Sequence, residues 1–133
     1  MGKFGEVLGW AAAICYITSM VNFVFKEIYK KKIIQMPKDS LFQKNYQILM
    51  KWIVKWHRYF GMAAGILGVF HLIWQIINVR VSYSGIFATL LMTAAVLLGI
   101  SMAYKKKTNL IKTHRAVSIS LLLVGLVHII TKV

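Results

Sequence analysis

The chain has 133 residues, 59% of them hydrophobic, with 17 Lys and Arg against 3 acids and a net charge of +14. A soluble domain is about half apolar and about a quarter charged, whereas only 15% of this chain is charged, so most soluble readings and a disordered basic tail are excluded. The length suits one compact unit, and the single Cys15 excludes an intrachain disulfide framework, a Cys-based zinc site and the C-x-x-C-H signature of covalent haem attachment.

A helix crossing the hydrocarbon needs about 20 mostly apolar residues. The first such segment covers about residues 7–25. Lys3 precedes it and Ala11, Ala12 and Ala13 are small, but the basic cluster after Phe25 reads as a stop-transfer flank, so an uncleaved helix is expected. Glu6 stands where a myristoylation signal needs Ser or Thr. The long connection that follows contains Pro37, which stops the first helix or starts a turn, and then Asp39 and Ser40, either of which can cap a new helix. Leu41, Tyr46, Ile48, Leu49, Trp52 and Ile53 suggest a partly amphipathic helix leading into a second span at about 52–79. Arg80 to Ser84 form a short connection, so the second span and a third at about 85–104 are expected as a tight antiparallel pair. A fourth span covers about 111–130. Strands fit poorly: the apolar runs do not alternate, and four strands cannot close a barrel in lipid. The expected fold is all-α, a single-domain bundle of four transmembrane helices.

Charge sets the orientation. Between the first two spans, and just inside the second, lie Lys26, Lys30, Lys31, Lys32, Lys38, Lys44, Lys51, Lys55 and Arg58; between the last two lie Lys105, Lys106, Lys107, Lys112 and Arg115. The opposite side carries only Lys3, Arg80 and Lys132. The positive-inside rule places the crowded side in the cytoplasm of a multi-pass cell-membrane protein and both termini outside. Trp52 and Trp56 then suit the inner aromatic belt, and Trp10 and Trp74 the outer one.

Four histidines carry the chemistry. His57 and His71 are 14 residues apart on the second span, and His114 and His128 are 14 apart on the fourth. At roughly 100° per residue, 14 steps return a side chain to within about 40° of its starting direction, and at 1.5 Å per residue the members lie about 21 Å apart along the axis. The two spans run in the same direction. His57 therefore faces His114 at the inner level, and His71 faces His128 at the outer level. Two neutral imidazoles facing each other across a bundle can ligate haem iron axially. Ionisable groups inside a bilayer are uncommon and usually functional.

The surroundings repeat too. Arg58 and Arg115 each follow the first His of their pair, and Gly68 and Gly125 each lie 11 positions after it. The third span has Gly85 and Gly99, again 14 apart, and Gly5 and Ser19 repeat that spacing on the first. The arginines suit either haem propionates or plain positive-inside anchoring. The glycines suit either clearance for a flat macrocycle or close helix packing. The seven Met and Cys15 read as apolar packing residues.

Four spans with His-x13-His on the second and fourth, and paired Gly on a neighbour, resemble the four-helix haem core of the cytochrome b superfamily. Similar arrangements occur in the membrane domains of ferric reductases and NADPH oxidases, hydrogenase cytochrome b subunits and bacterial superoxide oxidase. The resemblance implies two non-covalent b haems, an inner one on His57 and His114 and an outer one on His71 and His128. It also implies transmembrane electron transfer, with a quinone as the expected small partner. The chain departs from the larger relatives in lacking any flavin or nucleotide domain. Two function classes follow. One is an electron-transfer cytochrome, exchanging electrons with a quinone or a soluble redox partner at the cytoplasmic face. The other is a haem-bearing membrane anchor within a larger oxidoreductase complex. A homodimer suits either. A proton or divalent-metal transporter needs carboxylates beside the His, and Glu6, Glu27 and Asp39 lie near or beyond span ends. Nucleic acid is not an expected partner, because topology accounts for the Lys; Lys105 to Lys107 read first as a topology signal, with a docking surface for an acidic donor or for anionic lipid as the alternatives.

Overall fold

The computed structural model of the chain describes residues 2–37, 40–78, 80, 82–105 and 107–132. It consists of α1 (Gly2–Ile28), a π-helical turn (Tyr29–Ile33), α2 (Leu41–Asn78), α3 (Tyr83–Tyr104) and α4 (Thr108–Lys132). All four α-helices are long and apolar enough to cross a membrane. α1 and α4 extend beyond their expected spans at both ends, α3 begins two residues early, and α2 begins well before its span and ends at Asn78, because a helix does not start or stop where the hydrocarbon does. The amphipathic lead-in and the second span prove to be one helix of 38 residues, about 57 Å long at 1.5 Å per residue.

The connection before α2 follows its sequence signals. A π-helical turn with Ile34 N–H bonded to Tyr29 C=O at 3.0 Å carries the chain out of α1. Regular helix ends there, ahead of Pro37, which lacks an N–H and disfavours helical geometry in the residue before it. Ser40 then caps α2: its hydroxyl accepts the Gln43 N–H at 3.2 Å, satisfying one donor the helix cannot satisfy itself. The alternative cap, Asp39, lies outside the described residues, as do Lys38, Val79 and Lys106. Tyr46 ties the connection down, donating its hydroxyl to Phe25 C=O at 2.9 Å and stacking on Tyr29.

The helices meet along seams that repeat every seven residues. On α1, Gly5, Ala12, Ser19 and Asn22 are buried; in the π-helical turn, Ile33; on α2, Gln43 and Ala64; on α4, Leu121, and all but Asn22 follow the seven-residue repeat within their hairpin. Gln43 reaches Ile33 C=O, His57 reaches Ser19 C=O and His71 reaches Gly5 C=O. One antiparallel register runs through these three contacts, and it places Ala12 opposite Ala64. A seven-residue repeat is the sequence form of a left-handed supercoil. The 14-residue spacing of the histidines is two such heptads. Lipid gives no hydrophobic drive for helices to associate, so the contact depends on close packing. The small residues at the seam supply it.

The tight pairs are α1 with α2 and α3 with α4. The second and third spans, expected as a tight pair from their short link, touch less extensively. Each helix buries its seam most fully within its own hairpin. Between the hairpins, Tyr16 of α1 donates its hydroxyl to Ser118 C=O of α4. The link between hairpins is also shorter than expected: Ser82 caps α3 by accepting the Gly85 N–H at 3.1 Å, so Ser84 falls inside the first turn. Midway between the two histidine levels, Ala12, Ala64 and Leu121 are buried, with exposures of 7%, 0% and 4%.

Candidate functional site

Both histidine pairs come together. The His57 and His114 ring centres are 6.3 Å apart with the planes at 87°; those of His71 and His128 are 6.4 Å apart with the planes at 75°. Two imidazoles sharing one metal ion through bonds of about 2.0 Å hold their ring centres about 6 Å apart. Ala64 and Leu121 fall midway between the two pairs along α2 and α4.

A neighbouring helix holds each ring from behind. His57 Nδ1 lies 2.9 Å from Ser19 C=O and His71 Nδ1 2.8 Å from Gly5 C=O, both on α1. His114 Nδ1 lies 3.0 Å from Ala95 C=O on α3. A carbonyl only accepts, so these three contacts place the proton on Nδ1 and, in the neutral ring, the lone pair on Nε2. That is the tautomer a metal-ligating histidine needs, and such a rear hydrogen bond is its usual support. His128 Nδ1 lies 3.0 Å from Ser84 Oγ and 3.3 Å from Ser82 Oγ.

Small residues let the rings reach those acceptors. A Cβ on Gly9, one turn beyond Gly5, would meet His71 Cε1 at 3.0 Å, and one on Gly85 would meet His128 Cε1 at 3.1 Å. A Cβ on Gly99, one turn beyond Ala95, would sit 3.6 Å from His114 Cε1. Gly85 and Gly99 thus stand directly against the imidazoles, while Gly68 and Gly125 face open space. An added Cβ on Gly125 has nothing within 4 Å, and one on Gly68 only Met92 Cγ at 3.9 Å. Both line a cavity of about 700 Å³ that also takes in His71, His128, Gly9, Gly85 and Arg80.

The inner pair is surrounded by positive charge. Arg115 lies over the Phe23 ring at 5.7 Å, a cation–π contact that holds the guanidinium against α1. Lys26 is within electrostatic reach of Arg58 and Arg115, and both Lys26 and Arg58 act on His57. Arg58 is exposed and lines a smaller pocket of about 400 Å³ with Lys51 and Lys55. With only 3 acids in the chain, these cations call for anions from outside it.

The donor set narrows what either pair can hold. Among the described residues, no group of three or more His, Cys, Asp or Glu is placed to hold a metal ion. Structural zinc needs four protein ligands and catalytic zinc three, and hard cations need oxygen. Two opposed imidazoles instead suit a metal whose other positions are filled by a planar ligand, as in haem. Gly68 and Gly125 open onto the cavity beside His71 and His128, whereas His57 and His114 line neither of the two cavities described.

Sequence reasoning found the four histidines. It missed the acceptors Gly5, Ser19, Ala95, Ser82 and Ser84 as a set, and it missed Gly9, Lys26 and Tyr16. The matching 14-residue spacing of Gly5 and Ser19 was the available signal, because it mirrors His71 and His57 in antiparallel register. No protein-family model, curated protein or solved structure matches the chain.

Proposed function

We propose that the protein is a transmembrane electron-transfer cytochrome holding two b-type haems, the inner one on His57 and His114 and the outer one on His71 and His128. The observation that carries this reading is the pair of opposed imidazoles at each of two depths, with three of the four rings backed by a carbonyl. Haem bound there would supply one-electron redox chemistry. The chain's own residues do the rest. Nε2 atoms would offer lone pairs, and Nδ1–H bonds to the neighbouring helices fix ring orientation. Lys26, Arg58 and Arg115 would neutralise the carboxylates of a haem at the inner edge, where charge-assisted bonds are the strong ones. The Lys-rich connections lie in the cytoplasm and both termini outside. A quinone, reaching the bundle through the lipid, is the expected exchange partner.

Purified protein expressed with adequate haem should show a reduced-minus-oxidised b-type band and two haems per chain. His71→Ala should lose one haem and keep the other, and His57→Ala should do the converse. Absence of the band, or two haems retained in both variants, would overturn the assignment.

A further inference from the structure

Two cations of α2, Lys51 and Lys55, have no part in the haem reading. We propose that they form, with Arg58, a binding site for the headgroup of an anionic phospholipid from the leaflet on the Lys-rich side. The site stands apart from the two-haem reading.

The residues share one stripe of the helix. Lys51, Lys55, Arg58 and Met62 are spaced four, three and four residues apart, and side chains at those intervals are neighbours on a helix surface. The stripe lies roughly 100–160° around α2 from His57, on a different face from the histidines. Together with Val54 and Tyr59 it lines the pocket of about 400 Å³. Lys30, Lys31 and Lys32, equally basic, line neither of the two cavities described.

Depth is the second observation. Trp52 and Trp56 are exposed on this part of α2, and indole rings settle at the headgroup level of a bilayer. Lys55 Nζ lies 5.8 Å from the centre of the Trp52 ring, a cation–π contact that holds the ammonium at that level. Met62 lies about 16 Å from Lys51 along the axis, toward the middle of the span, and is exposed there. The pocket therefore sets cations at the depth of lipid phosphates and an apolar wall at the depth of acyl chains.

Charge selects among lipids. Neither Glu6 nor Glu27, the acids among the described residues, lines the pocket, so its cations are left for an anion from outside. A zwitterionic lipid brings its own cation beside the phosphate, which three basic side chains repel. A headgroup of net negative charge brings none, and each Lys near it contributes roughly fivefold in affinity.

The test is a lipid titration of the detergent-purified full chain, followed by native mass spectrometry, with phosphatidylglycerol or phosphatidylcholine as the probe. Phosphatidylglycerol should bind more tightly by about tenfold or more. The double variant Lys51→Gln, Lys55→Gln should lose most of that preference. Lys31→Gln with Lys32→Gln removes the same charge from the same side and should keep it. Arg58 is left intact because it adjoins His57. Inorganic phosphate should not displace the lipid. Equal affinity for the two lipids would overturn the proposal. So would a Lys51 and Lys55 variant that keeps the preference, or equal losses in the two double variants. Displacement by inorganic phosphate would overturn it as well, because the site would then read a free anion and not a lipid. The wild-type comparison decides even where a variant fails to fold.

Discussion

The two histidine pairs match in spacing, 6.3 Å and 6.4 Å between ring centres, and differ in their surroundings. The inner pair has carbonyls behind both rings and a cluster of Lys26, Arg58 and Arg115 around it. The outer pair has a carbonyl behind one ring, two hydroxyls behind the other and a cavity alongside. What the pairs share comes from helical register, which repeats every seven residues whatever the side chains. What separates them comes from single positions that the repeat does not copy. Geometry can thus be duplicated along a bundle while chemical character is set locally, level by level.

Substitutions can break or sharpen this comparison. The largest effect is expected where the levels share a support. Ala64→Phe forces a ring into a fully buried position between them, and overpacking of that kind costs about 3 kcal/mol or more. Both haems should be lost together, with a large drop in the melting temperature in detergent. Next, Arg115→Gln removes a cation from the inner level alone. Loss of a charge-assisted bond costs about 1.5–3 kcal/mol, so inner haem affinity should fall at least tenfold while the outer haem stays. An equal loss at both levels would show that Arg115 serves the fold and not one site.

A smaller and sharper contrast lies in the glycines. Gly85→Ala brings a methyl to 3.1 Å from His128, closer than van der Waals contact allows, whereas Gly99→Ala sits at 3.6 Å from His114 in ordinary contact. The first should weaken the outer haem by about 1 kcal/mol and the second should leave the inner haem unchanged, both read by haem retention during dialysis. The smallest effect is expected for Tyr16→Phe, which deletes the hydroxyl bonded to Ser118 C=O. One such bond contributes about 0.5–1.5 kcal/mol, and its loss should lower the melting temperature without favouring either level.

Much of this arrangement was legible in the residues. Runs of apolar sequence marked the four spans, and the shared spacing of His57, His71, His114 and His128 forecast both pairings, because side-chain identity and helical period suffice for that. Ser40 announced the start of α2. The rear acceptors were not legible, since Ser19, Gly5 and Ala95 act through backbone carbonyls that every residue possesses. Gly9 gave no signal because its role is an absence of bulk in front of His71. Lys26 was hidden among many lysines; only the packing of α1 on α2 brings it to the inner pair. The preference for hairpin partners over the expected tight contact of spans two and three was equally invisible. A short link limits how far apart two helices can be, but not how much surface they bury.

That hairpin organisation bears on how the bundle can open. The bond behind each imidazole closes inside its own hairpin, α1 holding the rings of α2 and α3 holding those of α4. Each hairpin therefore contains acceptors for its own rings, so the hairpins can be drawn together or apart without breaking the bonds that aim those rings.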